Sequence, residues 1–255
     1  MDAWQNYTYA IVGGEEKEIT VAPHSNPELL SRVNSEAGYP YSPEVVRLVL
    51  NSASLRFVDV VGDIVPPSPE DVPSRPYLAY GSSITNGSHS YAAQSTFVSK
   101  VAAHFRADAL NRGLAGNARL EGCVADEIAL MGERGEWDFA TLCLGINIAD
   151  IPPSEFEKKV RYMLERVASA NPDKHVFAIS PIYSKADMEG KGNLVAFREV
   201  VESEVARIGA ERLHYINGLS LLGDASGLSG DFVHPTPDGA DKIAANLIQI
   251  MSHYI

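Results

Sequence analysis

Hydrophobic and polar residues follow two different patterns along this chain, and the change between them lies near Pro66. Before it, apolar and polar residues alternate with period two at 7–12, 18–21, 45–50 and 55–61. Period-two alternation is typical of half-buried strands. We therefore predict a small β-rich unit over residues 1–72, followed by a proline-rich linker that leads into a second domain over residues 73–255.

After Pro76 the pattern changes to short apolar runs that alternate with helical stripes. Strands are predicted at 77–80, 109–111, 139–144, 176–179 and 213–216. Apolar residues at helical spacing predict helices over 97–105, 156–167, 197–208 and 243–251. Alternating strands and helices indicate a parallel sheet with helices on both faces, and such sheets bind ligands beyond the carboxyl ends of their strands.

A serine cluster follows the first of these strands. Ser83 lies in the stretch YGSSITNG, at a turn from strand to helix where a hydroxyl is exposed and a backbone N–H points above the sheet. Taken alone, the stretch fits an ordinary turn better than a nucleophile, because turns are rich in serine, glycine and asparagine.

Two further strand ends offer hydrogen-bond donors. The glycines in 111–117 follow the second strand and leave backbone N–H groups open to a substrate oxygen, although a glycine-rich loop before a helix is the simpler interpretation. Asn147 follows the third strand, where its amide is either a donor to a developing oxyanion or a helix N-cap.

An acid and a base stand three residues apart before the last helix. Asp231 and His234 lie on one turn, so the carboxylate can orient the imidazole and stabilise its protonated form. His89 lies six residues after Ser83 in a loop, where we expect an exposed or substrate-lining side chain rather than the catalytic base.

Four stretches, YGSSITNG, NRGLAGNARLE, LGIN and DFVHPTPDGA, resemble in order and spacing the four consensus blocks of the SGNH/GDSL hydrolase family. The resemblance covers roughly residues 76–255 and implies a flavodoxin-like three-layer α/β/α fold with a parallel five-stranded sheet. It implies Ser83 as nucleophile, His234 as general base and Asp231 as orienting acid. The oxyanion hole would consist of the backbone N–H groups of Ser83 and Gly116 and the side chain of Asn147.

Two positions depart from the family pattern, since Ser82 and Ile148 stand where acidic residues are usual. The N-terminal part, with the stretches YPYSPEVVRLVL and VVGDIVPP ahead of the catalytic block, is similar to a subgroup with an N-terminal β-sandwich-like domain. Here the N-terminal unit, residues 1–72, is short for a complete jelly roll. That subgroup includes esterases and acyltransferases. The resemblance therefore implies an esterase that removes a short acyl group, such as acetyl, from a sugar or other small ester. Alternatives are an acyltransferase with the same residues and a non-catalytic glycan-binding protein.

Composition limits the classes of molecule that the protein is expected to bind. Hydrophobic residues make up 45% of the chain, and 33 acidic against 21 basic residues give a formal net charge of −12. A surface of that charge repels nucleic acid and anionic membranes, so a small ester substrate is expected as partner.

No metal-ligand spacing is present, so we expect neither a metal nor a cofactor. Neither a signal peptide nor an 18-residue apolar run is evident, which favours the cytoplasm, and the two cysteines are expected to be buried free thiols. The sequence does not indicate an oligomeric state.

Overall fold

The computed structural model describes residues 26–37, 41–42, 45–46 and 57–255. The chain divides into two compact units, Met1–Ser74 with Arg106–Asp108, and Arg75–Phe105 with Ala109–Ile255. The domain boundary predicted at residue 72 stays a prediction. Of the helices in the described part of the chain, none is both long and apolar enough to span a membrane.

The first unit contains the helix α1 at Pro27–Ala37, which the sequence patterns did not predict. Its start follows familiar rules, because Asn26 accepts a hydrogen bond from Leu29 N through its side chain and proline occupies the first helical position. The strands predicted at 7–12 and 18–21 lie outside the described residues, and the strand predicted at 45–50 lies mostly outside them. Residues 57–61 are described and form no strand, so that end of the predicted 55–61 strand is wrong.

The described residues contain a sheet of five strands: β1 (Arg75–Gly81), β2 (Ala107–Gly113), β3 (Phe139–Cys143), β4 (His175–Ile179) and β5 (Leu213–Ile216). The sheet belongs to the second unit except for the first two residues of β2, which are counted with the first unit. The strand order is β2-β1-β3-β4-β5, and the pairs from β1 through β5 are parallel. This confirms the predicted α/β fold with a parallel five-stranded sheet in flavodoxin-like order. All five strands predicted after Pro76 are present, with ends that differ by no more than two residues.

Helices cover both faces of this sheet. The helices that follow α1 are α2 (Ser83–Asn86), α3 (Phe97–His104), α4 (Gly122–Glu133), α5 (Pro153–Ala170), α6 (Lys185–Glu189), α7 (Leu194–Ile208), α8 (Gly218–Leu221) and α9 (Pro237–Met251). Neighbouring helices α4, α5 and α7 pack together on one side, while α3 packs with α9.

The continuous apolar runs in the sequence arise because helices cover both faces of the sheet. Successive side chains of a strand point to opposite faces, so a strand with both faces buried needs apolar residues throughout. On β1, Leu78 and Tyr80 belong to the core shared with α4, α5 and α7. Tyr77, also fully buried, stacks on Phe139 of β3 and shares a 2.7 Å hydrogen bond with Thr141.

Neither cysteine is in a disulfide, as expected, but Cys123 is exposed rather than buried. It occupies the first turn of α4, on a helix whose buried side is formed by other residues. Cys143 at the end of β3 is partly buried, and burial raises the pKa of its thiol to about 11.

A buried arginine fixes the segment that follows β4. Arg198 of α7 donates hydrogen bonds to the carbonyl oxygens of Pro181 and Ile182, at 2.8 and 3.1 Å. Its other two bonds go to both carboxylate oxygens of Asp187, at 2.7 and 2.9 Å. A bidentate pair of this kind sets orientation as well as distance, so the segment 181–187 is held against α7.

We expect Arg198→Ala to lower the free energy of unfolding by about 3–5 kcal/mol, because the Asp187 carboxylate would remain buried without its partner. Urea denaturation followed by circular dichroism measures this. Arg134 is the matched control, since its ion pairs with Glu127 and Glu136 are exposed and Arg134→Ala should lower the free energy of unfolding far less than Arg198→Ala. Equal losses in the two variants would contradict a structural role for the buried pair.

Candidate active site

The candidate nucleophile lies where β1 passes into α2. Ser83 is the first residue of α2, and Ser82 is its N-cap, with a side-chain oxygen that accepts a 3.2 Å hydrogen bond from Ile84 N. Gly81 allows the chain to pass here, because a Cβ at that position would lie 2.2 Å from Thr85 Oγ1 and 2.9 Å from Cys143 Cβ. The turn therefore presents the Ser83 side chain at the carboxyl edge of the sheet.

The structure brings together the three residues predicted as a triad. Ser83 Oγ lies 2.7 Å from His234 Nε2, although 151 positions separate the two residues in sequence. His234 Nδ1 lies 2.6 Å from Asp231 Oδ2. An ionised carboxylate only accepts hydrogen bonds, so Nδ1 carries the proton and Nε2 is left to accept from the Ser83 hydroxyl.

The Asp231 carboxylate is fully engaged. Oδ1 accepts hydrogen bonds from Ser229 Oγ at 2.8 Å and from the backbone N–H groups of Val233 and His234, both at 2.9 Å. Burial acts to raise the pKa of Asp231, but the hydrogen bonds from His234, Val233 and Ser229 outweigh it and hold the pKa well below its usual value. Asp231 is therefore ionised at any pH at which a base at His234 works.

Gly116 and Asn147 lie on loops that hydrogen bonds link to each other and to the nucleophile turn. Leu114 N donates to Gly81 O at 2.7 Å, and Ala118 N donates to Asn147 Oδ1 at 3.2 Å. This bond turns the carbonyl oxygen of Asn147 toward Ala118 and leaves its amide nitrogen as the group available for donation. Gly116 has a φ of +71° in an exposed turn, a backbone conformation that favours glycine.

Two strained residues stand beside the triad. Among the described residues, His89, Arg106, Leu120 and Phe232 are the non-glycine residues with positive φ. Phe232 lies between Asp231 and His234, and His89 is in ring contact with His234. Left-handed backbone at a bulky residue costs free energy and persists only where the surroundings impose it, as they often do at functional sites.

The position of His89 is the feature that sequence reasoning missed. The side chain is 47% exposed, as expected, but its ring stacks on that of His234 with centroids 4.8 Å apart and planes 11° apart. The only sequence signal was an imidazole in the loop after the nucleophile, and no spacing rule connects that loop with residue 234.

His89, Asp231 and His234 also form a group whose ligand atoms lie within 4.8 Å of one another, the arrangement a metal ion needs. Both ring nitrogens of His234 are already hydrogen-bonded, to Ser83 and Asp231. The lone pairs of an imidazole lie in its ring plane, and two nearly parallel stacked planes do not meet at one point. The arrangement fits a proton-transfer triad better than a metal centre.

Comparison with protein families agrees with the motifs. The model of the GDSL-like lipase/acylhydrolase family matches residues 79–242, which is more than half of the chain. The chain belongs to this family. None of the curated protein sequences matches this GDSL-family chain.

Several solved structures have a fold similar to that of this chain. The chain is similar to the salicylyl-acyltransferase SsfX3 from a tetracycline biosynthetic pathway, with 19% identity, a TM-score of 0.60, and coverage of 70% of this chain and 55% of SsfX3. It is similar to a carbohydrate esterase family 2 enzyme of Corynascus thermopiles, with 17% identity, a TM-score of 0.58 and coverage of 75% and 69%. A family two carbohydrate esterase from Clostridium thermocellum gives 16% identity, a TM-score of 0.58 and coverage of 74% and 65%.

These likenesses concern the fold. At identities below 20% they establish the GDSL-type architecture and carry no information on substrate. The aligned part of the chain spans little more than half the length of SsfX3.

Proposed function

We propose that this GDSL-family protein is a serine carboxylester hydrolase that removes a short acyl group, such as acetyl, from a sugar or other small ester. The observation that carries the proposal is the continuous hydrogen-bonded chain from the Ser83 hydroxyl through the His234 imidazole to the Asp231 carboxylate. A serine, an imidazole and a carboxylate in that order constitute the arrangement that activates a hydroxyl for nucleophilic attack.

The proposed reaction runs through an acyl-enzyme. His234 Nε2 takes the Ser83 proton while Oγ attacks the ester carbonyl carbon, and the tetrahedral intermediate collapses as the bond to the alcohol oxygen breaks. The leaving alcohol receives the proton from His234. Water then attacks the acyl-enzyme, gives a proton to His234, and the acid leaves as that proton returns to Ser83 Oγ.

We propose that three donors hold the oxyanion of the tetrahedral intermediate: Ser83 N–H, Gly116 N–H and the amide nitrogen of Asn147. The Ser83 N–H is at the first position of α2, where intrahelical bonding leaves it without a partner. The hydrogen bond from Ala118 fixes the Asn147 amide so that no reorganisation is needed when charge develops. Donors of this kind contribute about 3 kcal/mol each in comparable sites.

The size of a nearby cavity supports a short acyl group. Ser82 and Ile84, the two neighbours of Ser83, line a cavity of about 40 Å³ whose other walls include Leu144 and Ile146. By this measure one water needs about 10–15 Å³, so the cavity has room for a group of a few heavy atoms, which is compatible with a short acyl chain. The triad residues are not among those that line it. The net charge of −12 favours neutral substrates over anionic ones.

Ser83→Ala should abolish hydrolysis of p-nitrophenyl acetate and labelling by a fluorophosphonate probe, because the attacking oxygen is removed. The circular dichroism spectrum should be unchanged, since Ser82 provides the helix cap. Ser88→Ala, in the same loop, is the matched control and should be labelled like the unmodified protein. An unlabelled unmodified protein would favour the non-catalytic glycan-binding alternative, and an active Ser83→Ala variant would mean another nucleophile.

Asn147→Asp should lower kcat by about 10²–10³ with little change in KM, because the variant keeps an oxygen for Ala118 N–H but replaces the oxyanion donor by a negative charge. Steady-state kinetics on the same ester measures both constants. If kcat changed less than twofold, Asn147 would be removed from the oxyanion hole. Asn117→Asp, exposed in the same region, controls for the added charge.

Across p-nitrophenyl acetate, butyrate and octanoate we expect kcat/KM to be highest for acetate and to fall with chain length. Ile182, which lines the cavity, supplies a test of the cause: Ile182→Ala should raise the butyrate-to-acetate ratio by about tenfold, since one methylene in an apolar pocket is worth about 1–3 kcal/mol. Val195→Ala, on the exposed side of α7, should leave the ratio unchanged. A ratio that does not respond to Ile182→Ala would place the acyl group elsewhere.

An acyltransferase would use the same acyl-enzyme. The Asp231 side chain is 39% exposed, so an acceptor alcohol has access to the triad in competition with water. Product analysis with acetylated xylo-oligosaccharides as donors and alcohols as acceptors decides between the two: free acetate supports the hydrolase, and a transferred acetyl group supports the transferase.

A further inference from the structure

The two hydrogen bonds of His234 restrain tilting of its ring less than they restrain motion within the ring plane. Both bonds, to Ser83 Oγ and Asp231 Oδ2, lie in the ring plane and leave from nitrogens on opposite sides of the imidazole. Rotation about the line through them tips the ring without lengthening either bond much. A contact on the flat face of the ring is the direct way to restrain that tilt.

His89 supplies such a contact. Its ring lies parallel to that of His234, with 4.8 Å between the centroids and 11° between the planes. Stacked ring pairs at this separation are attractive. The His234 side chain is only 22% exposed, and the stacked ring keeps water from one of its faces.

The backbone holds His89 in this position through the nucleophile residue itself. Gly87 N and Ser88 N both donate to Ser83 O at 2.9 Å, and Ser90 N donates to Gly87 O at 3.0 Å. His89 has a φ of +67°, a conformation that a histidine adopts at a cost. The loop thus returns the chain from Ser83 to the far side of the His234 ring within six residues.

His89 also lies close to the carboxylate of the triad. His89 Nε2 is 3.7 Å from Asp231 Oδ2, which is too long for a hydrogen bond but near enough for the imidazole dipole to be felt. Ser83 Oγ bonds to His234 and not to His89 within the described contacts. His89 therefore acts on the reaction through His234.

From this geometry we propose that His89 is a positioning residue: its ring covers one face of the His234 imidazole and holds it upright between Ser83 and Asp231. The inference rests on the proposed function in that His234 is taken as the base. Loss of the ring should let the imidazole tip and admit water to the His234–Asp231 hydrogen bond, so that fewer molecules are aligned for proton transfer at any moment.

Two substitutions separate the ring from the backbone. His89→Asn removes the ring but keeps a residue that tolerates left-handed φ, so backbone strain is not increased. His89→Phe keeps a flat ring of similar reach and removes the nitrogens, at a cost in left-handed backbone strain that urea denaturation measures. Tyr91→Asn, two residues further along and exposed, is the control for substitution in this loop.

Kinetics and NMR are measured on the same three variants. We expect His89→Asn to lower kcat for p-nitrophenyl acetate about three- to tenfold with KM within twofold, the loss expected for one stacked aromatic pair. His89→Phe should recover at least half of the lost activity, and Tyr91→Asn should match the unmodified protein. In His89→Asn the His234 Nδ1 proton, followed by NMR, should exchange with water faster, a readout that needs no substrate.

The outcomes separate this inference from the proposed function. Unchanged kcat together with unchanged Nδ1 proton exchange in His89→Asn would overturn it. A His89→Phe variant that is as stable as the unmodified protein yet as impaired as His89→Asn would also overturn it, because it would assign the effect to the nitrogens. If the unmodified protein hydrolyses no ester while His89→Asn still accelerates the exchange, the positioning role stands and the proposed reaction fails.

Discussion

The site depends on a histidine that must meet two partners at once, one close in sequence and one 151 positions away. The contact with Asp231 forms locally, because the Asp231 carboxylate accepts hydrogen bonds from the backbone N–H groups of Val233 and His234 and from the His234 ring. The carboxylate and imidazole are thus assembled within one turn of chain. Only the meeting with Ser83 requires the tertiary fold, so any constraint that places the 231–234 turn over the end of β1 also completes the triad.

Backbone hydrogen bonds between loops impose that constraint. The loop after β2 is tied to the end of β1 through Leu114 N and Gly81 O, and the turn at 231–234 is tied to the segment after β4 through Lys185 N and Phe232 O, at 2.6 Å. That segment is in turn held by the buried guanidinium of Arg198. Main-chain contacts of this kind do not depend on which side chains the bonded residues carry.

The α/β fold and the meeting of Ser83, Asp231 and His234 were predictable because their signals are local. A strand with both faces covered is largely apolar, so the continuous apolar runs in the sequence were enough to predict β3 and β4. Asp231 and His234 are three residues apart, and Ser83 follows directly after a strand, so topology alone places them at one sheet edge. α1 was missed because its apolar residues, Leu29, Leu30 and Val33, are too few for a clear helical stripe. The contact between His89 and His234 could not be predicted from the sequence, since it depends on the direction in which the left-handed backbone at His89 points its side chain.

The two departures from the family pattern are best understood from what the replacing residues do. Ser82 caps α2 through its own side-chain oxygen, which is the local task an acid at that position would perform at a helix N-terminus. Ile148 is buried in the core shared with α5 and α7, so the loop after β3 is anchored by apolar packing where an acid would use hydrogen bonds. Neither residue bonds to Ser83, His234 or Asp231 within the described contacts, so the hydrogen-bonded chain of the triad does not pass through them. The hydrogen-bonded chain from Ser83 to Asp231, with both bonds of the His234 ring at 2.6–2.7 Å, is therefore complete without an acid at either position. Ser82 and Ile148 thus change how the loops are held and leave the proposed catalytic chain intact.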